Sequence, residues 1–233
     1  MAVGGRGAKS KTELWPGSKT QCDLPDFPIE IEGAVGFNTA KGPVICGGYE
    51  ENRCFLHTQN QWMPFLNMST VRWDASALEV NDDQTLIIGG RDENWKDLKT
   101  TELISSSGSV KGKDFPTTIA RHCTIKINST HALVTGGYQD GSYSASTWFV
   151  DLTTTTFTPG PKMTTTRSSH GCSTFKLGRK TFGIVSGGSN GNKLDSTEII
   201  EFLHFWIFFK ELLWFGSIVV QKDFNFLPFL DIF

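Results

Sequence analysis

Four apolar runs in this chain stop on the same two residues: VICGG at 44–48, TLIIGG at 85–90, LVTGG at 133–137 and IVSGG at 184–188. The glycine pairs close at residues 48, 90, 137 and 188, giving intervals of 42, 47 and 51 residues. Internal repetition on that scale belongs to chains built from stacked supersecondary units, made either of helix pairs or of small sheets. Helical units need apolar residues at i, i+3, i+4 and i+7. The runs here are short, β-branched and followed by turn residues, so they read as strands.

The repeated unit is wider than its glycines. An Arg precedes each of the last three pairs, in MSTVRW (68–73), PTTIARH (116–122) and MTTTRSSH (163–170). After it comes a further strand-like run, DASALEV, CTIKI or GCSTFKL, and then a polar turn, NDDQ, NSTH or GRK, leading into the Gly-Gly strand. Beyond the glycines lie a polar loop and a third strand, NRCFLHTQNQW at 52–62 and STWFVDLTTTTF at 146–157; TTELIS (100–105) and STEIIE (196–201) are near copies of one another. Each unit therefore reads as four short strands, one propeller blade. Strand-end glycines fit that reading, because Gly accepts positive φ and lets backbones approach where a Cβ would clash. Gly47, Gly48, Gly89, Gly90, Gly136, Gly137, Gly187 and Gly188 are accordingly assigned an architectural role.

At this level of detail the chain resembles the kelch-repeat β-propellers. Those proteins carry an apolar strand ending in Gly-Gly, then a Tyr-type strand, a Trp, Pro-x-x-Met and Arg. The third unit matches best, through ALVTGG, STWFVDLTTTTF, PGPKM and TTTR; the first has Trp62 and PFLNMSTVR, the second lacks the Trp, and the fourth stops after STEIIE. The resemblance covers roughly residues 22–201. It implies an all-β, partial kelch-type propeller of about four blades over residues 21–201, after a lead-in at 1–20 with the composition of a disordered segment. Kelch propellers in general bind partner proteins on a loop face, so the resemblance implies a non-catalytic protein-binding module with no cofactor. Fold alone does not fix function. A ligase-adaptor or actin-binding role is not asserted, since only about 20 residues precede the repeats.

Residues 202–233 are of different composition. They hold nine of the 18 Phe and two of the seven Trp, but one of the 24 Gly. We expect a hydrophobic, helical, non-propeller tail. A membrane span over 202–220 is one reading, with twelve Leu, Ile, Phe or Val opposed by Lys210 and Glu211 at its middle. A capping helix is another, and a truncated reading frame a third; an open propeller of this kind would self-associate through its uncovered edges.

Chemistry-bearing residues are few. The net charge of −2 gives no basic field for nucleic acid. His122–Cys123 and His170–Cys172 recur at similar points of adjacent units, a set that can bind zinc but more commonly fills a core. Cys46 and Cys54 flank the loop GGYEENR, where a hairpin places them opposite each other as a candidate disulfide, with Cys22 left over. A galactose-oxidase-like copper enzyme is the catalytic alternative that the fold brings to mind, but Tyr49, Tyr138 and Tyr143 all lie in or beside the post-glycine loops, away from any His in sequence. The opening residues carry no apolar leader, which favours the cytoplasm. The sequons at Asn67 and Asn128 and the Cys46–Cys54 spacing fit instead a secreted or membrane-anchored chain. Loops converging on one face of a rigid scaffold are where binding usually sits. On that face we expect Arg72, Trp95, Arg121, Tyr138, Tyr143 and Arg167 to contact a partner.

Overall fold

The computed structural model describes residues 2–3, 10–13, 24–202 and 217–219. Among these there are strands, bridges and turns, and no helix. Four antiparallel four-stranded sheets follow one another along the chain, each a simple meander in sequence order. The first blade comprises Val35–Thr39, Gly42–Cys46, Arg53–Thr58 and Gln61–Asn67. The second comprises Ser76–Glu79, Gln84–Ile88, Thr101–Ser105 and Gly108–Lys111. The third is Cys123–Lys126, His131–Thr135, Thr147–Asp151 and Thr156–Pro159. In the fourth, Gly171–Leu177, Lys180–Ser186 and Thr197–Phe202 are joined by Ser217–Val219.

That last strand corrects one expectation. The fourth blade does not stop at Glu201: Phe202 pairs with Thr181, and Ser217–Val219 pairs antiparallel with Ile199–Glu201. A third strand with a free edge offers unpaired backbone groups, which a fourth strand satisfies. The rest of the expected helical tail lies outside the described residues, as do Cys22 and most of the expected lead-in. Among the described residues no helix is long and apolar enough to cross a membrane.

The blades pack face to face, and their first strands adjoin one another from the first blade through the fourth. This is a β-propeller-like arrangement with the first strands innermost. Its core lies between blades. Val44, Cys46, Leu56 and Met68 of the first blade and its following linker meet Ile87 and Ile104 of the second. Leu86 and Ile88 point the other way, against Ala132, Val134 and Val150 of the third. Leu133 and Phe149 of the third meet Val185 and Ile200 of the fourth. Strands alternate faces with a period of two, and here both faces are covered, so the second strands read as unbroken apolar runs. Segment 24–34 lays Phe27 and Ile31 on Phe55 and Trp62, the face of the first blade turned away from the second.

The glycine pairs work as a two-step junction. The first glycine's N–H donates to its own third strand: Gly47 to Arg53 O, Gly89 to Thr100 O, Gly136 to Ser146 O and Gly187 to Ser196 O. The second donates to the linker that leads into the next blade: Gly48 to Arg72 O, Gly90 to Ile119 O and Gly137 to Arg167 O. Gly136 (φ +57°) is representative, since a Cβ there would sit 2.5 Å from the Arg167 carbonyl oxygen. A second tie runs close to the inner strands. Asp74 N–H donates to Gly33 O, Arg121 N–H to Asp74 O, and Ser169 N–H to Arg121 O, at 2.9, 2.8 and 2.8 Å. All four of these residues have positive φ, so each blade entry hooks onto the one before it.

Candidate functional site

The residue directly after each Gly-Gly pair occupies the same place in every blade: Tyr49, Arg91, Tyr138 and Ser189. Each is held by the linker beside it, through Tyr49 N–H to Glu32 O, Trp73–Arg91, Ala120–Tyr138 and Ser168–Ser189 pairing. These positions form the inner part of one face of the molecule, the face on which the post-glycine loops open.

Two groups of rings, joined by one guanidinium, form a row that crosses that face over three blades. Trp73 meets Trp95 and Tyr49 edge-on, with centroids 4.7 and 5.7 Å apart, and Tyr49 and Trp95 make a tilted contact at 5.6 Å. The Arg91 guanidinium stands over both Trp73 (5.5 Å) and Tyr138 (5.7 Å), and Tyr138 meets Tyr143 at 5.4 Å. Arg91 is oriented by Asp97 at 2.7 Å. Trp73 is buried and donates its indole N–H to Asp92 O, so it serves as the footing of the row. Trp95, Tyr49 and Tyr143 are 59, 42 and 36% exposed and form its outward surface. The loop carrying Tyr49 is closed at its base by a Cys46–Cys54 disulfide across directly paired strand positions, and is braced by Glu51–Arg53 at 2.5 Å. The Arg53 guanidinium holds the Glu51 carboxyl below its usual range, against a smaller opposing effect of burial.

Of the six expected contact residues, Trp95, Tyr138 and Tyr143 belong to this row. Arg72 and Arg167 do not, and their assignment as partner contacts is corrected. Both are buried, 1 and 0% exposed, and face inward between blades. Arg167 spans to Gly187 O, Ser196 O and the Glu198 carboxylate (2.9 Å); Arg72 reaches Gly89 O, Thr100 O and Glu102 (3.3 Å). Burial alone would raise the Glu198 carboxyl, but the N–H groups of Thr164 and Thr165 and the Arg167 guanidinium outweigh it and hold it below its usual range.

Arg121 is not the counterpart of these two. By backbone bonding Ile31, Arg72, Ile119 and Arg167 are equivalent, and Arg121 falls two residues later, beside Asp74 and Ser169. Two residues after the carbonyls that accept from the first glycines, Arg53, Thr100, Ser146 and Ser196, stand Phe55, Glu102, Trp148 and Glu198. Glu102 and Glu198 bind the two arginines, while Phe55 and Trp148 share apolar clusters with Ile31 and Ile119. The blades thus alternate between apolar and ionic pairs: Ile31–Phe55, Arg72–Glu102, Ile119–Trp148 and Arg167–Glu198. Arg121 is half-buried and bonds Asp74 at 2.7 Å, at the inner rim of the same loop face.

Cys123 and Cys172 are joined as a disulfide between the first strands of the third and fourth blades, with a sequence separation of 49. Their sulfurs are therefore not thiolate ligands, which answers the zinc reading. Among the described residues no group of three His, Cys, Asp or Glu is gathered for a metal. His122 and His170 stand beside this bridge and are buried. Burial, then the neighbouring His170, lowers His122 to about 3; burial, then Arg167, lowers His170 to about 4. His170 Nε2 bonds Thr135 Oγ1 at 2.9 Å. Away from the loop face, a cleft of about 90 Å³ opens between the first two blades near Phe37, Lys41 and Asp82.

The sequence reading missed Tyr49, Trp73 and Arg91 as members of the row. The signal was present in the position after Gly-Gly, which alternates Tyr, Arg, Tyr, Ser along the repeats. No family model matches this chain, and no curated protein is similar to it in sequence. Among solved structures, that of YjhT is similar over 81% of this chain and 73% of its own, with a TM-score of 0.66 and 10% identity. At that identity the likeness bears on the fold, and it supports a β-propeller-like architecture.

Proposed function

We propose that this chain is a kelch-type propeller that acts as a non-catalytic binding module, seating a protein partner across the aromatic row of its loop face. The observation that carries the proposal is the continuous row from Trp95 to Tyr143, with three exposed rings drawn from three blades. Trp, Tyr and Arg are enriched among the residues that dominate binding energy at protein interfaces, and Trp and Tyr bring large apolar area with few rotors to fix. Here the rings are also held in advance by mutual contacts and by the Cys46–Cys54 bridge, so little ordering cost remains at binding. The kelch assignment is supported by the Gly-Gly pairs, by Trp62 on the outer strand of the first blade, and by Arg72 and Arg167 placed between blades.

The test is a photo-crosslinking amino acid placed at Trp95 and, as a control, at Lys126 near the opposite face. A partner protein joined from position 95, lost when Tyr49 and Tyr143 are both changed to Ala, supports the proposal. Equal adducts from 95 and 126, or adducts indifferent to the double change, contradict it.

A further inference from the structure

We propose that Asn128 is an N-glycosylation site, in a chain that matures in an oxidising compartment. Two independent observations carry this. The first is the cysteines: all four that the structure describes are joined, as Cys46–Cys54 and Cys123–Cys172. One bridge closes a hairpin and the other couples two blades, so both tie the framework of the fold together. Structural disulfides of this kind persist in secreted, luminal and cell-surface proteins and are rare where glutathione keeps thiols reduced.

The second observation is the turn that joins Cys123–Lys126 to His131–Thr135. Its residues Asn128, Ser129 and Thr130 form an N-x-T sequon and all three are exposed. Asn128 Oδ1 accepts from the backbone N–H of Thr130 (2.8 Å) and of His131 (2.8 Å), and from Thr130 Oγ1–H at 3.0 Å. The carboxamide oxygen is thereby occupied, while Nδ2 takes part in none of these bonds and is the atom to be modified. The hydroxyl two residues on, which the sequon requires, points at the amide it serves. In the transfer, Nδ2 attacks C1 of the first sugar of a lipid-pyrophosphate-linked oligosaccharide. The C1–O bond breaks, the Nδ2–C1 bond forms, the amide proton passes to a base of the transferase, and the lipid pyrophosphate leaves.

The sequon at Asn67 differs. Its middle residue, Met68, is buried against Gly47, and Ser69 N–H is tied to the Glu102 carboxylate. That segment is part of the contact between two blades, and it does not form the same turn. Position also favours Asn128. Its turn lies at the opposite end of the strands from the Gly-Gly loops, so a glycan there leaves the row of Trp95, Tyr49 and Tyr143 uncovered.

The experiment takes the full chain from the cells that make it, alkylates free thiols, and digests it without reduction for mass spectrometry. Part of the digest is first treated with peptide-N-glycosidase in heavy-oxygen water. The expected result is both disulfide-linked peptide pairs and heavy-oxygen Asp at position 128. Alkylated Cys46, Cys54, Cys123 or Cys172 as the main species overturns the compartment; an unmodified Asn128 peptide overturns the site. In the same cells T130A is expected to remove one glycan's worth of gel retardation, while T130S, which keeps the hydroxyl, and N67Q do not. Loss of the shift in N67Q with retention in T130A contradicts the assignment.

Discussion

At the scale of the residue, the four pairs Ile31–Phe55, Arg72–Glu102, Ile119–Trp148 and Arg167–Glu198 amount to an exchange experiment already present within one chain. Two solutions fill the same space. An apolar pair is as serviceable as a buried ion pair, because desolvation consumes most of what the charges gain from one another. Removing one member of an ion pair is a different matter. E198A leaves Arg167 buried without its carboxylate and is expected to cost about 3–5 kcal/mol. R167I/E198W, copied from Ile119 and Trp148, is expected to recover much of that loss, read as the midpoint of urea unfolding. Acidity acts on the same contact. Glu198 is held below its ordinary range, so its contribution is complete above that range and is lost as pH falls through its native value. The histidines act at higher pH. Neutral His122 and His170, at about 3 and about 4, bind no proton in the folded state where an unfolded histidine does. Stability is therefore expected to fall as pH drops below about 6.5, the ordinary histidine value. H122F should flatten that part of a curve of melting temperature against pH. An unchanged slope would show that His122 is protonated in the native protein.

At the scale of the element, the Gly-Gly junction and the bridges divide the work. The junction satisfies one backbone N–H group within the blade at the end of every second strand, and in the first three blades a second one to the next linker. G136A is expected to be among the costliest small changes, because it adds positive-φ strain to a 2.5 Å approach to the Arg167 carbonyl. The bridges differ by loop length. In the chain-entropy account Cys123–Cys172, spanning 49 residues, contributes about 4 kcal/mol, and Cys46–Cys54, spanning eight, about 2–3 kcal/mol. C123S/C172S should accordingly lower the melting temperature more than C46S/C54S; the reverse order would indicate that the third and fourth blades dock well without the bridge. Much of this level was legible in the sequence. The Gly-Gly strands, the polar turns and the Cys46–Cys54 pairing follow from local patterns, which carry period and turn chemistry. The Cys123–Cys172 bridge was not legible, since its partners meet only when two blades stack. Arg121 was misread for a related reason: an Arg two residues out of step looks equivalent in a linker whose bonding register is set by backbone carbonyls.

At the scale of the molecule, the blades gather the aromatic row on one face and leave one end apolar. The side of the fourth blade turned away from the third carries the stacked pair Phe175 and Phe182, with Leu177 67% exposed. F175K/L177K is expected to reduce concentration-dependent association, measured by sedimentation, with the melting temperature unchanged. Trp95, Tyr138 and Tyr143 were named from the sequence, while Tyr49, Trp73 and Arg91 escaped it for a reason of geometry: Tyr49, Arg91 and Tyr138 are separated by more than 40 residues and become neighbours only as blades fan around an axis. The propeller-like order of strands was readable from repeats; of the surface those repeats compose, the loop face was readable but the contacts that join its side chains into a row were not. The central claim is that the row binds the partner, and affinity tests it most directly. With the partner captured through position 95, titration calorimetry of the unlabelled protein and W95A gives the two dissociation constants, at equal melting temperature. The account predicts an increase of tenfold or more, about 1.4 kcal/mol or above, as for an exposed aromatic anchor. An unchanged constant would place the partner elsewhere on the molecule and contradict the account.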